Sequence, residues 1–110
     1  MVVGDSAFGF SAMELETAAR YNLPIKVLIV NNNGISSGVE EIAKDDNALS
    51  ILIFALLPGA KYEMISLAFG GKGACVHDHK GLTEKLTEVL NDNNMWVLNI
   101  LIDPNAGRKP

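Results

Sequence analysis

Apolar residues recur along this chain in two rhythms, short aliphatic runs and stretches with three-to-four spacing. Residues 25–30, Ile-Lys-Val-Leu-Ile-Val, are nearly continuous in β-branched and aliphatic side chains, the composition of a parallel strand covered on both faces. Residues 96–102 read as a second buried strand stopped by Pro104, and residues 74–76 as a shorter one. Only Met1-Val2-Val3 precede Gly4, fewer than the roughly five or six residues of an ordinary strand. The chain is therefore expected to start inside a domain. Edges exposed in that way should make it aggregate or lean on a partner.

Helical patterns lie between the strands. Ala12, Leu15, Ala18 and Ala19 form a small-residue stripe on a helix running from Ala7 or Ser11 to Tyr21. Within it Glu16 can pair with Arg20, and Ser11 with Glu14 fits a capping box. Asn22-Leu23-Pro24 ends the helix, because proline disfavours the helical conformation in the residue before it. Residues 61–69 place Tyr62, Ile65 and Phe69 on one side, and Gly70-Gly71 supply the positive φ of a C-terminal cap. Residues 80–90 carry Leu82, Leu86, Val89 and Leu90 at amphipathic spacing, with Asp78 as the cap. Residues 31–38 read as a turn-rich loop and 39–47 as a surface loop or irregular helix. Residues 48–57 read as a buried helix and a candidate subunit interface. Strands alternating with helices imply an α/β domain, a mainly parallel sheet with helices on both faces.

Composition narrows the class. The 110 residues, 48% of them apolar, suffice for one core but not two. Net charge is −4 and the lysines and arginines are scattered, so there is no basic face for nucleic acid and no polybasic patch for a membrane. The apolar run at 48–57 is too short to span a bilayer. The opening Met1-Val2-Val3 does not read as a secretory signal nor Arg108-Lys109-Pro110 as a peroxisomal address, so neither is expected to direct the chain; Arg108 and Lys109 read as solvated. The single Cys75 excludes a disulfide framework and is expected to be a packed, reduced core thiol of an intracellular protein. His77-Asp78-His79 offers too few ligands for a metal site.

Two polar turns carry the candidate chemistry. Gly4-Asp5-Ser6 and, after 24 intervening residues, Asn31-Asn32-Asn33-Gly34 each follow a strand. In open α/β sheets ligands bind beyond the carboxyl ends of strands. Asp5 offers an anionic oxygen, Asn32 an amide oxygen and Gly34 an unobstructed carbonyl, a set suited to Mg²⁺ or Ca²⁺ with room for phosphate oxygens. The main-chain amides of Ser6 and Ala7 open the first helix, where an anion is favoured. The first basic residue, Arg20, lies a full helix beyond Gly4, so no P-loop lysine is present. Gly4 and Gly9 lack the third glycine of a dinucleotide fingerprint. A metal-bridged diphosphate is the reading that remains.

The spacing of Gly4-Asp5-Ser6 and Asn31-Asn32 resembles the thiamine-diphosphate signature. More narrowly, GDSAFGFSAMELETAARYNLPI at 4–25, VNNNGI at 30–35 and AFGGKG at 68–73 are similar to the 2-hydroxyacyl-CoA lyases. The related oxalyl-CoA decarboxylases share the Gly-Asp-Ser variant, and the likeness runs to Asp103-Pro104. The resemblance implies that residues 1–110 are the C-terminal thiamine-diphosphate-binding (pyrophosphate) domain, incomplete at its N-terminus. It implies Mg²⁺ on Asp5, Asn32 and the Gly34 carbonyl, and a cofactor lined by Ser6, Ala7, Asn32, Gly34 and Ile35. The implied reaction cleaves the carbon–carbon bond of 2-hydroxyacyl-CoA to formyl-CoA and an aldehyde, in fatty acid α-oxidation, by a peroxisomal homo-oligomer.

In such enzymes the glutamate that activates the cofactor comes from a neighbouring subunit's N-terminal domain. No catalytic residue is therefore assigned here, Glu14 and Glu16 included, and the 110 residues alone are expected to be inactive. This chain departs from the pattern at Ser36-Ser37, where a tyrosine usually follows Gly-Ile, and across a divergent, shortened stretch at 39–50. Asn33, where a glycine is common among the decarboxylases, favours the lyase branch. The rival from another class is a non-catalytic scaffold or dimerisation remnant of the same fold.

Overall fold

The computed structural model describes residues 1–35, 55–104 and 106. Its sheet has four strands, β1 (Val2–Gly4), β2 (Lys26–Asn31), β3 (Lys72–Val76) and β4 (Trp96–Leu101), in the order β1-β2-β4-β3. Every pairing is parallel, and β2 matches β4 from Lys26↔Trp96 to Asn31↔Leu101. The helices described are α1 (Asp5–Ser11), α2 (Glu14–Arg20), α3 (Glu63–Ala68) and α4 (His79–Asn91). The expected parallel α/β layering is what the chain adopts.

Register divides the side chains between two faces, since neighbouring residues on a strand point to opposite sides. Val27, Ile29 and Val97 face α1 and α2 and form the core with Phe8, Ala12, Leu15, Ala18 and Met95. Tyr62, Ile65 and Phe69 lean on it from the α3 segment, and Phe8 meets Tyr62 edge-on with ring centroids 6.0 Å apart. Full burial of a side chain such as Ile29 contributes about 1.5–3 kcal/mol. Both faces of β4 are closed, for Trp96, Val97, Leu98 and Asn99 are all buried. β2 instead alternates buried with half-buried residues, so the expected double cover applies to β4 but not to β2. On the opposite face α4 buries Val89 and half-buries Leu82 and Leu86, while Leu90 is exposed.

Local chemistry sets the element ends. Gly4 is extended (φ −76°, ψ 160°) and acts as the N-cap, so α1 starts at Asp5 itself. Ser11 is consequently the last residue of α1, Met13 caps α2 without a side-chain bond, and the anticipated Ser11–Glu14 capping box does not form. Glu16 and Arg20 do pair, at 2.8 Å. Gly70 takes φ +82°, and Gly71 N–H donates to the Ser66 carbonyl (2.9 Å) while Gly70 N–H donates to Leu67 (3.1 Å), a Schellman close. Asp78 Oδ1 accepts the Gly81 amide at 2.6 Å, the expected cap of α4.

Two expectations are corrected. Cys75 is exposed, not a core thiol. Glu63 lies over Gly73 and Ser66 over Gly71, so α3 runs antiparallel to the edge strand β3 and its cover stops short of Cys75. Ala55, expected at a helix end, instead forms an antiparallel bridge to Gly34, with Leu56 N–H donating to the Asn33 carbonyl at 3.1 Å. The remainder of the 48–57 run through residue 54, the 39–47 stretch, residues 36–38 and the Arg108-Lys109 pair lie outside the described residues.

Below β4, Asp92 Oδ2 accepts from Lys72 Nζ (2.6 Å) and Trp96 Nε1 (2.8 Å). The lysine first, and the indole next, hold this carboxyl well below the usual carboxylate range. The unfolded chain takes up the proton at about pH 3.9, before the native chain does. The pair's contribution is therefore complete above that pH and is lost as the pH falls below it. Asp92→Asn should flatten the acid limb of a plot of urea midpoint against pH below about pH 4. An acid limb identical to that of the unmodified chain would exclude this role.

Candidate functional site

Gly4 pairs with Val30, so the carboxyl ends of β1 and β2 stand side by side. Asp5, 2% exposed, follows the first end, and the Asn31–Gly34 turn follows the second. The buried Gly34 N–H donates to Asp5 Oδ2 at 3.1 Å and also reaches Asn32 Oδ1 at 3.3 Å. A carboxylate from one strand and a carboxamide from its neighbour thus converge on one amide. The turn needs a left-handed residue: Asn33 has φ +58°, a conformation that asparagine tolerates better than most L-residues. Its N–H donates to Asn31 Oδ1 at 2.9 Å, and its own Oδ1 is buried without a partner.

Beneath the turn lies a polar group that the sequence reading missed. Asn31 Nδ2 donates to Asn99 Oδ1 (3.1 Å), and Asn99 Nδ2 donates to Glu63 Oε2 (2.9 Å) and to the Ala60 carbonyl (3.3 Å). Asn99 carried a signal, since an amide inside the run WVLNIL is costly unless it is hydrogen-bonded. Glu63 carried none. Next to it, the Tyr62 phenol is raised above its ordinary value, by burial first and by the negative charge of Asp5 second.

Of the residues singled out from the sequence, Asp5, Asn32 and Gly34 are brought together. Ser6 is half-buried and Ala7 exposed in the first turn of α1, and Ile35 is exposed just beyond the Gly34–Ala55 bridge. His77 and Asp78 are exposed with Nε2 and Oδ2 3.7 Å apart. Among the described residues no group of three or more His, Cys, Asp or Glu side chains gathers. The donor chemistry at the two strand ends is one carboxylate, one carboxamide and main-chain oxygen, all hard ligands. That set fits Mg²⁺ shared with phosphate oxygens better than a softer transition metal.

A parallel sheet with this pair of polar turns at neighbouring strand ends defines a class, and residues 1–100 match it: the chain belongs to the thiamine pyrophosphate enzyme family, as its C-terminal TPP binding domain. More particularly, it is similar to 2-hydroxyacyl-CoA lyase 1 of Homo sapiens, 46% identical over 115 residues that cover 98% of this chain and 20% of that protein. It is also similar to oxalyl-CoA decarboxylase of Escherichia coli strain K12, 41% identical over 106 residues covering 96% of this chain and 18% of the relative. Among solved structures, an enzyme from Mycobacterium smegmatis described as thiamin diphosphate-dependent superposes with TM-score 0.71 at 25% identity, over 94% of this chain and 18% of that one. The chain thus spans about a fifth of the length of the curated relatives it matches. It is the C-terminal TPP binding domain of a thiamine pyrophosphate enzyme, similar in sequence to the matching part of those acyl-CoA enzymes. No described helix is long and apolar enough to cross a membrane.

Proposed function

We propose that this chain holds thiamine diphosphate and Mg²⁺ for a 2-hydroxyacyl-CoA lyase, which cleaves 2-hydroxyacyl-CoA to formyl-CoA and an aldehyde. The observation that carries the reading is the meeting of Asp5 Oδ2 and Asn32 Oδ1 at the Gly34 amide. Asp5, Asn32 and the Gly34 carbonyl would ligate the metal, and Ser6, Ala7 and Ile35 would line the diphosphate beside Asn32 and Gly34. When bound, the cofactor supplies an electron sink for carbon–carbon cleavage.

The chain's own residues bind and orient. Arg20 is engaged by Glu16 at 2.8 Å and lies a full helix beyond Gly4, so a metal held by the anionic Asp5 is the counter-charge proposed for the diphosphate. The lyase is preferred to the decarboxylase on 46% against 41% identity and on Asn33. The same reading takes the intact enzyme to be a peroxisomal homo-oligomer serving α-oxidation, with its catalytic glutamate outside this chain.

Titration calorimetry with thiamine diphosphate tests the proposal. A saturable heat is expected with Mg²⁺ and none after chelation. A folded chain that gives no heat in either condition would instead favour the scaffold remnant.

A further inference from the structure

We propose that Asn99 and Glu63 are positioning residues for the cofactor loop, acting through a buried relay of hydrogen bonds that has only one satisfied direction. The inference rests on the reading that this loop holds thiamine diphosphate. Asn31, Asn99 and Glu63 are 0%, 1% and 9% exposed, and they join three separate elements, β2, β4 and α3.

The direction is set from the α3 end. Asn99 Nδ2 meets two acceptors, Glu63 Oε2 and the Ala60 carbonyl. A main-chain carbonyl can only accept, so the NH₂ of Asn99 must face α3 and its oxygen must face β2. That oxygen takes the proton of Asn31 Nδ2 at 3.1 Å, which leaves Asn31 Oδ1 for the Asn33 N–H at 2.9 Å. Reversing Asn31 would set its NH₂ against the Asn33 N–H, donor against donor, and the turn would lose its buried acceptor. Partial satisfaction of a buried polar network costs more than an apolar core would. The relay therefore selects one loop conformation. In that conformation Asn33 is left-handed and the Gly34 amide is offered to both Asp5 and Asn32. Asn99 and Glu63 act on the proposed metal ligands only through this turn.

The test reads the loop with and without ligand. Asn99→Leu keeps most of the volume and deletes the relay. In the cofactor-free chain it should speed exchange of the Asn33 and Gly34 amides about tenfold or more, with Val27 and Ile29 little changed. In calorimetry it should weaken thiamine diphosphate binding in Mg²⁺ by about tenfold, the low end of the loss for groups bonded directly to metal ligands, because Asn99 acts one bond further out. Asn99→Asp alone opposes two carboxyl groups and should lose loop protection as well. Adding Glu63→Gln supplies a donor at position 63 and leaves position 99 accepting from Asn31, with only the bond to the Ala60 carbonyl not restored, so part of the protection and affinity should return. Mere space-filling would give no such rescue. Unchanged loop exchange in Asn99→Leu, or a double variant no better than Asn99→Asp, overturns the proposal. If Asn99→Leu does not fold, the Asp and Asp/Gln pair decides alone. An unmodified chain that gives no calorimetric heat overturns the cofactor reading, and the exchange data still decide the relay.

Discussion

Asp5→Ala is expected to abolish Mg²⁺-dependent binding of thiamine diphosphate, weakening it about a hundredfold or more. Two losses combine. A hydrogen bond to a charged group is worth roughly 1.5–3 kcal/mol, and the Gly34 amide loses its 3.1 Å carboxylate acceptor. The proposed metal also loses its anionic ligand, which is the larger effect because no P-loop lysine stands ready for the diphosphate. Asp5→Asn separates the two. It keeps an oxygen for the Gly34 amide and should fold like the unmodified chain, yet it should still fail to bind. A second readout needs no cofactor: removing the Asp5 charge should lower the titration midpoint of Tyr62, since that charge adds to burial in raising the phenol. Normal Mg²⁺-dependent binding by Asp5→Ala would end the ligand assignment.

Asp5 and the asparagine turn were legible because their meeting depends on local order: each follows a strand, and the two strands are neighbours. The support beneath them was not. Asn31 and Asn99 are 68 residues apart, and Asn99 and Glu63 are 36 apart. Periodicity encodes which face a residue occupies but not which distant residue will share it. The capping box failed for a different reason. Ser11 and Glu14 have suitable spacing, but extended Gly4 starts the helix earlier and leaves Ser11 at its end. Cys75 and Leu90 show the limit of apolar neighbourhood as a guide to burial. Cys75 lies past the reach of α3 on an edge strand, and Leu90, on the amphipathic stripe of α4, remains 65% exposed. Helix α2 was legible in its stripe and its internal ion pair but not in its start, for the single helix expected from Ala7 or Ser11 to Tyr21 is broken at Ala12-Met13 into α1 and α2.

The second large effect is expected at Gly73, whose importance the run AFGGKG did not reveal. A Cβ there would fall inside contact distance of the Glu63 carbonyl oxygen and sit 3.0 Å from its carbonyl carbon and 3.1 Å from its Cβ. The obstacle is largely backbone, so α3 must move away from β3 as a unit. Overpacking of this kind costs about 1–3 kcal/mol, and each kcal/mol lowers Tm by roughly 4–8 °C in a domain near this size. Gly73→Ala should therefore melt well below the unmodified chain, and Gly73→Val lower still. Gly9 provides the opposite sign. A Cβ there meets nothing within 4 Å in the middle of α1, so Gly9→Ala should gain about 0.5–1 kcal/mol from the glycine's lost helix penalty. Moving α3 also draws Glu63 away from Asn99, at present 2.9 Å distant. Gly73→Ala should accordingly loosen the Asn33 and Gly34 amides as well as lowering Tm, whereas Gly9→Ala should leave them protected. Equal melting temperatures for the two alanine variants would mean that α3 yields without cost. The close seating of Glu63 over β3 would then not be what steadies the loop.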